Sequence, residues 1–210
     1  MPSSESVLSG LTKLANDWQW LAIVFHVYFG ALVVFVAAGV RVGKRLTGIL
    51  LAVPLASVSV LAWMSMNPFN GFLFALVAVA LIVLSIRIPN AQVNLAPVPV
   101  AIAGFLLLAF GWIYPHFLNT SSFLPYLYSA PVGIVPCPTL SVVIGVALIL
   151  GSFESRAWGI VSAAAGIFYG LFGTLKLGVA LDWVLVVGAA ALLAYCLIGW
   201  REPAKTTAQG

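Results

Sequence analysis

Seven long apolar blocks, separated by short connections, take up most of this chain. They run over about 18–40, 46–66, 71–88, 98–115, 137–153, 157–175 and 181–200. An apolar block of roughly 18 residues or more is long enough to cross a ~30 Å hydrocarbon layer as helix. Backbone in lipid must satisfy its own hydrogen bonds, which only helices and closed barrels achieve. Blocks of this length are helices, since a barrel strand needs only ~10 residues. The pattern predicts an all-α, polytopic membrane protein, a bundle of about seven transmembrane helices.

Three parts follow: a leader over 1–17, the membrane domain over 18–200 and a tail over 201–210. The leader lacks an apolar core, so it does not read as a cleavable signal peptide. Val7, Leu8, Leu11, Leu14, Ala15 and Trp18 mark one face of a helix, which fits an interfacial segment. An unstructured leader is the other reading.

Basic residues orient the bundle. Arg41, Lys44, Arg45, Arg87, Arg156, Arg201 and Lys205 fall on every second connection and on the tail, against Lys13 and Lys176 on the opposite side. The positive-inside rule then places the C-terminus in the cytoplasm and the N-terminus outside. Tryptophan prefers the headgroup level. Trp18, Trp20, Trp63, Trp112 and Trp183 fall near the outer span ends, and Trp158 and Trp200 near the inner ones.

Composition agrees: of 210 residues, 63% are hydrophobic and 7% charged, against about 25% charged in soluble domains. The net charge of +4 is spread thinly over loops and describes no nucleic-acid surface. The expected location is the cell inner membrane, with the lipid bilayer as the principal partner.

Candidate chemistry gathers toward the outer half. The connection from Tyr114-Pro115-His116 to Pro136-Cys137-Pro138-Thr139 carries no formal charge and is rich in proline and aromatic residues. Such a segment is expected to fold back against the bundle or to dip into the membrane. Pro138 suits the first turn of a helix. From there to Phe153 a helix is about 24 Å long, roughly 6 Å short of the hydrocarbon core. The break must therefore be buried in protein or line a wet cavity. Cys137 beside that helix start is either a reactive thiol, if wet, or a packed apolar residue, if dry. His26 lies inside the first span, where an ionisable group marks function or simply bonds to a neighbouring helix. His116 lies just past the fourth span, where it can be solvated. Asp182 and Lys176 bracket the last outer turn and read as a surface pair near the interface. His26, Tyr114, His116, Cys137 and Asp182 thus form a candidate polar site opening outward. Met64, Met66, His116 and Cys137 include soft-metal ligands, but no ligand spacing supports a metal, and no cofactor is expected.

Gly159, Ala163, Gly166, Gly170 and Gly173 make a small-residue stripe along the sixth span, where another helix can approach closely. The partner is another helix of this chain or a second copy. Pro54 interrupts the second span and predicts a kink. Cys137 and Cys196 lie toward opposite faces and cannot pair within one chain.

The stretch Gly133-Ile134-Val135-Pro136-Cys137-Pro138-Thr139, with Ile144-Gly145, and the stretch Gly173 to Gly188 resemble an uncharacterised family of bacterial multi-pass membrane proteins. The resemblance covers the C-terminal half. It implies a small helical inner-membrane protein with a Pro-Cys-Pro segment before a late span, and no activity. A retinal-binding rhodopsin is excluded, since 183–200 contains no lysine. The small sugar exporters are excluded by the absence of Pro-Gln. Three functions remain: a permease or channel-like protein for a small, largely neutral solute, an accessory or structural subunit, and a membrane-embedded thiol enzyme using Cys137.

Overall fold

The structure, a computed structural model, describes residues 3–38 and 42–198. Arg41, Trp200, Arg201, Lys205 and the tail lie outside the described residues. The chain forms α1 (Ser4–Asp17), α2 (Gln19–Ala37), α3 (Lys44–Met64), α4 (Pro68–Arg87), α5 (Val98–Ile113), the short α6 (Tyr126–Ser129), α7 (Pro136–Ile149), α8 (Arg156–Leu171) and α9 (Trp183–Ile198). A π turn over Phe172–Lys176 extends α8, and a 3-10 turn over Ala180–Asp182 leads into α9.

Every apolar block holds a helix, but not every helix is long enough to cross a membrane. Lys44–Met64, Pro68–Arg87, Arg156–Lys176 and Ala180–Ile198 are long and apolar enough. A fifth span results if α1 and α2 count as one, although 72° separates their axes. The 16-residue α5 and 14-residue α7 fall short, at about 24 and 21 Å. The chain is a multi-pass helical membrane protein with four to five spans by this measure. Its outer faces carry Val27, Phe72, Val79, Phe105, Leu106 and Val187 exposed. So broad an apolar surface fits lipid and not water.

α7 is the centre of the bundle. Every residue from Ser129 to Phe153 is buried except Ile149, which is half-buried. A helix apolar on every side belongs inside protein or lipid, and here protein surrounds it. α3 packs along α4, α5 along α7, and α8 along α9, with α7 also touching α3, α8 and α9. The approach of α5 to α7 is close because Gly104 and Gly145 face each other. A Cβ on Gly104 would stand 2.6 Å from the Gly145 carbonyl, and one on Gly145 would stand 2.6 Å from the Leu108 nitrogen.

α7 stops earlier than its apolar pattern predicts. The expected helix to Phe153 gives way after Ile149 to a turn in which Gly151, Ser152, Phe153 and Glu154 all have φ between 50° and 57°. Three of these are not glycine, and left-handed backbone is costly for them. Packing holds the turn in place: Phe153 meets the Trp158 ring edge-on at 4.9 Å. Trp158 is accordingly fully buried in protein, and its Nε1 donates to Ser85 Oγ at 3.1 Å.

The same end of the bundle is closed by charge. Lys44 Nζ meets Glu154 Oε2 at 2.6 Å, with the Lys44 side chain 7% exposed and Glu154 50% exposed. Asn94 Nδ2 donates to Glu154 Oε1 at 2.9 Å. The bonds from Lys44 and Asn94 hold the Glu154 carboxyl below the usual carboxylate range. A depressed folded value means the stability this group adds is present above the ordinary carboxylate range and is lost as pH falls through the folded value. Replacement by Glu154→Gln is expected to cost about 1 kcal/mol near neutrality, because the pair is half-exposed. Unfolding in detergent across acidic pH checks it: the difference between wild type and variant should shrink as pH falls.

A candidate site of a buried carboxyl beside an end cavity

At the opposite end, prolines and a hydroxyl build the entry to α7. Pro136 and Pro138 occupy its first turn, where an N–H would lack a helical acceptor anyway. The Pro131 carbonyl accepts from the Val135 nitrogen at 3.0 Å. Thr139 Oγ1 accepts from the Gly133 nitrogen at 2.8 Å and donates to the Val135 carbonyl at 2.6 Å. These bonds satisfy a buried irregular backbone, which lipid would not tolerate unpaired.

Three of the predicted polar residues meet there. Tyr114 ends α5, fully buried, with its ring 5.4 Å from Phe110 and 6.0 Å from Phe117. Its hydroxyl donates to Asp182 Oδ1 at 2.7 Å. Asp182 closes the 3-10 turn before α9, and its own nitrogen donates to the Val179 carbonyl at 3.0 Å. Cys137 presents its thiol to the Tyr169 carbonyl at 3.8 Å, beside the Asp182 carboxyl. Asp182 is 2% exposed and Cys137 8%.

Asp182 thus corrects the surface pair expected with Lys176. The turn folds inward because the π turn exposes Gly173 to it: a Cβ at Gly173 would run into the Asp182 carboxyl. A π turn of this kind often marks a functional position in a helix. The rest of the small-residue stripe faces α9 as well. Gly159 abuts Cys196, Gly166 abuts Ala189, Gly170 abuts Val186, and Ala163 is fully buried between them on the same helix.

The two histidines part company. His116 sits half-buried at 4.3 Å from the Phe117 ring and 6.5 Å from the Tyr114 ring. Burial lowers its pKa from the ordinary histidine value. His26 lies on α2 with Nε2 2.9 Å from the Trp112 carbonyl and Nδ1 2.8 Å from the Ala22 carbonyl. It caps the C-terminal end of α5, where carbonyls lack helical donors.

A cavity of about 580 Å³ opens beside this cluster. The apolar face of α1 covers it with Val7, Leu11 and Leu14. Val58 and Ala62 of α3, Asn67 and Asn70 at the start of α4, Ile134 and Pro136 before and at the start of α7, and Phe172, Lys176 and Leu177 form the walls. None of His26, Tyr114, His116, Cys137 and Asp182 lines it. The five residues do not share one hollow: Tyr114, Cys137 and Asp182 form a buried cluster beside a separate cavity. They are linked: Tyr169 accepts from Cys137 through its carbonyl and donates from its hydroxyl to Asn70 Oδ1 at 3.1 Å. Among the described residues no three His, Cys, Asp or Glu side chains are placed to hold an ion. Met66 is 90% exposed while Cys137 is buried, so the soft-metal set does not converge.

The fold and site describe a helical membrane protein with a buried acid next to an end cavity. Comparison with protein-family models, curated proteins and solved structures returns no match.

Crowding at Asp182 sets a stability expectation. Gly173→Ala should cost about 1–3 kcal/mol by overpacking. Gly10→Ala on α1, with nothing within 4 Å of the added methyl, should be neutral or slightly stabilising. Thermal unfolding in detergent compares the two. The Cys137 thiol should resist an impermeant maleimide in folded protein and react after denaturation.

Proposed function

We propose that this is a seven-pass inner-membrane protein, N-terminus outside, that takes up or releases a small, largely neutral solute. The cavity beneath α1 is the observation that carries the reading. Its volume of about 580 Å³ lies in the range of small-molecule sites, which join apolar walls to a few polar groups. Here the polar groups are Asn67, Asn70 and serines at the rim such as Ser4 and Ser65, with Lys176 the single charge. The walls otherwise suit an uncharged molecule.

The seven-pass count treats α5 and α7 as spans together with the segments at their ends, which are buried at both ends of α7. The orientation rests on the distribution of Lys and Arg. It puts the cavity on the outer side, since α1 and Lys176 belong to the side poor in basic residues. The 72° bend between α1 and α2 agrees with α1 lying along the membrane surface and α2 crossing it. The thiol-enzyme alternative has less support, because Cys137 is buried and bonded to backbone.

Purified protein in vesicles should give saturable flux for at least one member of a panel of small uncharged solutes. Ala62→Trp, which projects an indole into the cavity, should reduce that flux by roughly tenfold, equal to ~1.4 kcal/mol of lost binding. Flux no higher than in empty vesicles for the whole panel would defeat the reading. Reporters fused to the two termini should report opposite compartments, and a shared compartment would remove the seven-pass arrangement.

A further inference from the structure

The π turn at the end of α8 has two faces, and each meets a different feature. Phe172, Lys176 and Leu177 stand in the cavity wall. Gly173, between them, lies against the Asp182 carboxyl. The turn closes with wide rings: the Leu177 nitrogen donates to the Phe172 carbonyl at 3.1 Å and the Val179 nitrogen to the Gly173 carbonyl at 2.9 Å. Such wide turns are rare, and their neighbouring α-helical register is close in geometry. A shift at Gly173 therefore moves the cavity wall.

The carboxyl itself is in an unusual position. It is 2% exposed and lies in a helix-turn unit apolar and long enough to cross a membrane. The groups facing it are Tyr114 from the end of α5, Cys137 from α7 and Gly173 from the π turn. None is a cation. Lys176 lies on the same turn, but among the described residues its ammonium is not within ion-pair distance of Asp182. A carboxylate in this setting lacks a counter-charge, and a single proton supplies one.

We propose that Asp182 is a reversible proton-binding site whose occupancy is coupled to occupancy of the cavity, so that solute movement is proton-coupled. This rests on the solute-binding reading of the cavity. The step is a simple protonation. A hydronium ion reaching the carboxylate leaves its proton on Oδ2, the oxygen not engaged by Tyr114, and departs as water. The carboxyl sits against Gly173. The anion holds the Tyr114 hydroxyl as a donor but has no counter-charge, and the Lys176 ammonium on the same turn can supply one. Drawing Lys176 toward Asp182 repositions Phe172 and Leu177, and with them the wall.

The test uses the full chain in lipid nanodiscs, with a neutral solvatochromic dye as the cavity probe. Dye affinity should fall by roughly tenfold as pH rises and Asp182 ionises, a coupling of ordinary size. Asp182→Asn, which keeps the Tyr114 bond, should bind the dye with the acid-form affinity at every pH. Infrared difference spectra between acid and alkaline pH should show a protonated-carboxyl C=O band. That band should vanish in Asp182→Asn and shift in Tyr114→Phe. A pH response that survives in Asp182→Asn overturns the proposal, as does a difference spectrum unchanged by that variant. Dye binding abolished by Ala62→Trp but insensitive to pH in wild type defeats the coupling alone. Dye binding that Ala62→Trp leaves intact defeats the cavity reading and the coupling with it.

Discussion

A helix that is apolar on all sides has no face to offer water, and one too short to cross a bilayer cannot end in headgroups. α7 is both, so protein must cover its flanks and its ends. The remaining helices are arranged to provide that cover. α5 supplies Gly104 and Gly111, which let its backbone come against α7. The segments before and after α7 are buried too, and so must satisfy their backbone locally. Thr139 does this at the start. At the far end, the Ser152 hydroxyl donates to the Ser155 carbonyl at 3.3 Å. Polar and strained features collect at the two ends of α7 because its flanks leave no room for them.

The two ends meet this demand with different chemistry. At one, Glu154 reaches solvent and brings the almost buried Lys44 a partner. At the other, Asp182 has hydroxyl and thiol neighbours and no cation. The first arrangement fixes a corner of the bundle. The second leaves a group whose charge state is free to alter its surroundings. The proposed proton coupling draws on that asymmetry, because the second end adjoins the cavity beneath α1.

Much of the fold was legible because long apolar blocks admit few structures in lipid. The helical face of α1 was legible for a similar reason, since Val7, Leu11 and Leu14 share one side. What escaped the sequence depended on contacts between distant segments. Nothing local to Phe153 distinguishes a left-handed turn from another helical turn; its seat against Trp158 does. Trp158 has the position of an interfacial residue and the environment of a core one. Tyr114, Cys137 and Asp182 stood out as polar residues on one side, yet their convergence required the π turn at Gly173, which a stripe of small residues does not announce. The cavity was invisible for a plainer reason. Val58, Ala62 and Ile134 are ordinary apolar residues, and a hollow is made by how they are spaced apart in three dimensions.

The cover over the cavity also has a history in time. Ser4 Oγ donates to the Lys176 carbonyl, and Asn16 Nδ2 to the Phe117 carbonyl. Those partners lie 172 and 101 residues further along the chain. α1 can thus make these two bonds only after the segments that carry the partners have been synthesised. Its apolar face, with Val7, Leu11 and Leu14, has no cover of its own until the cavity walls stand beneath it. The pocket's lid and its wall therefore depend on two segments at opposite ends of the described chain, joined by the bond from Ser4 to Lys176.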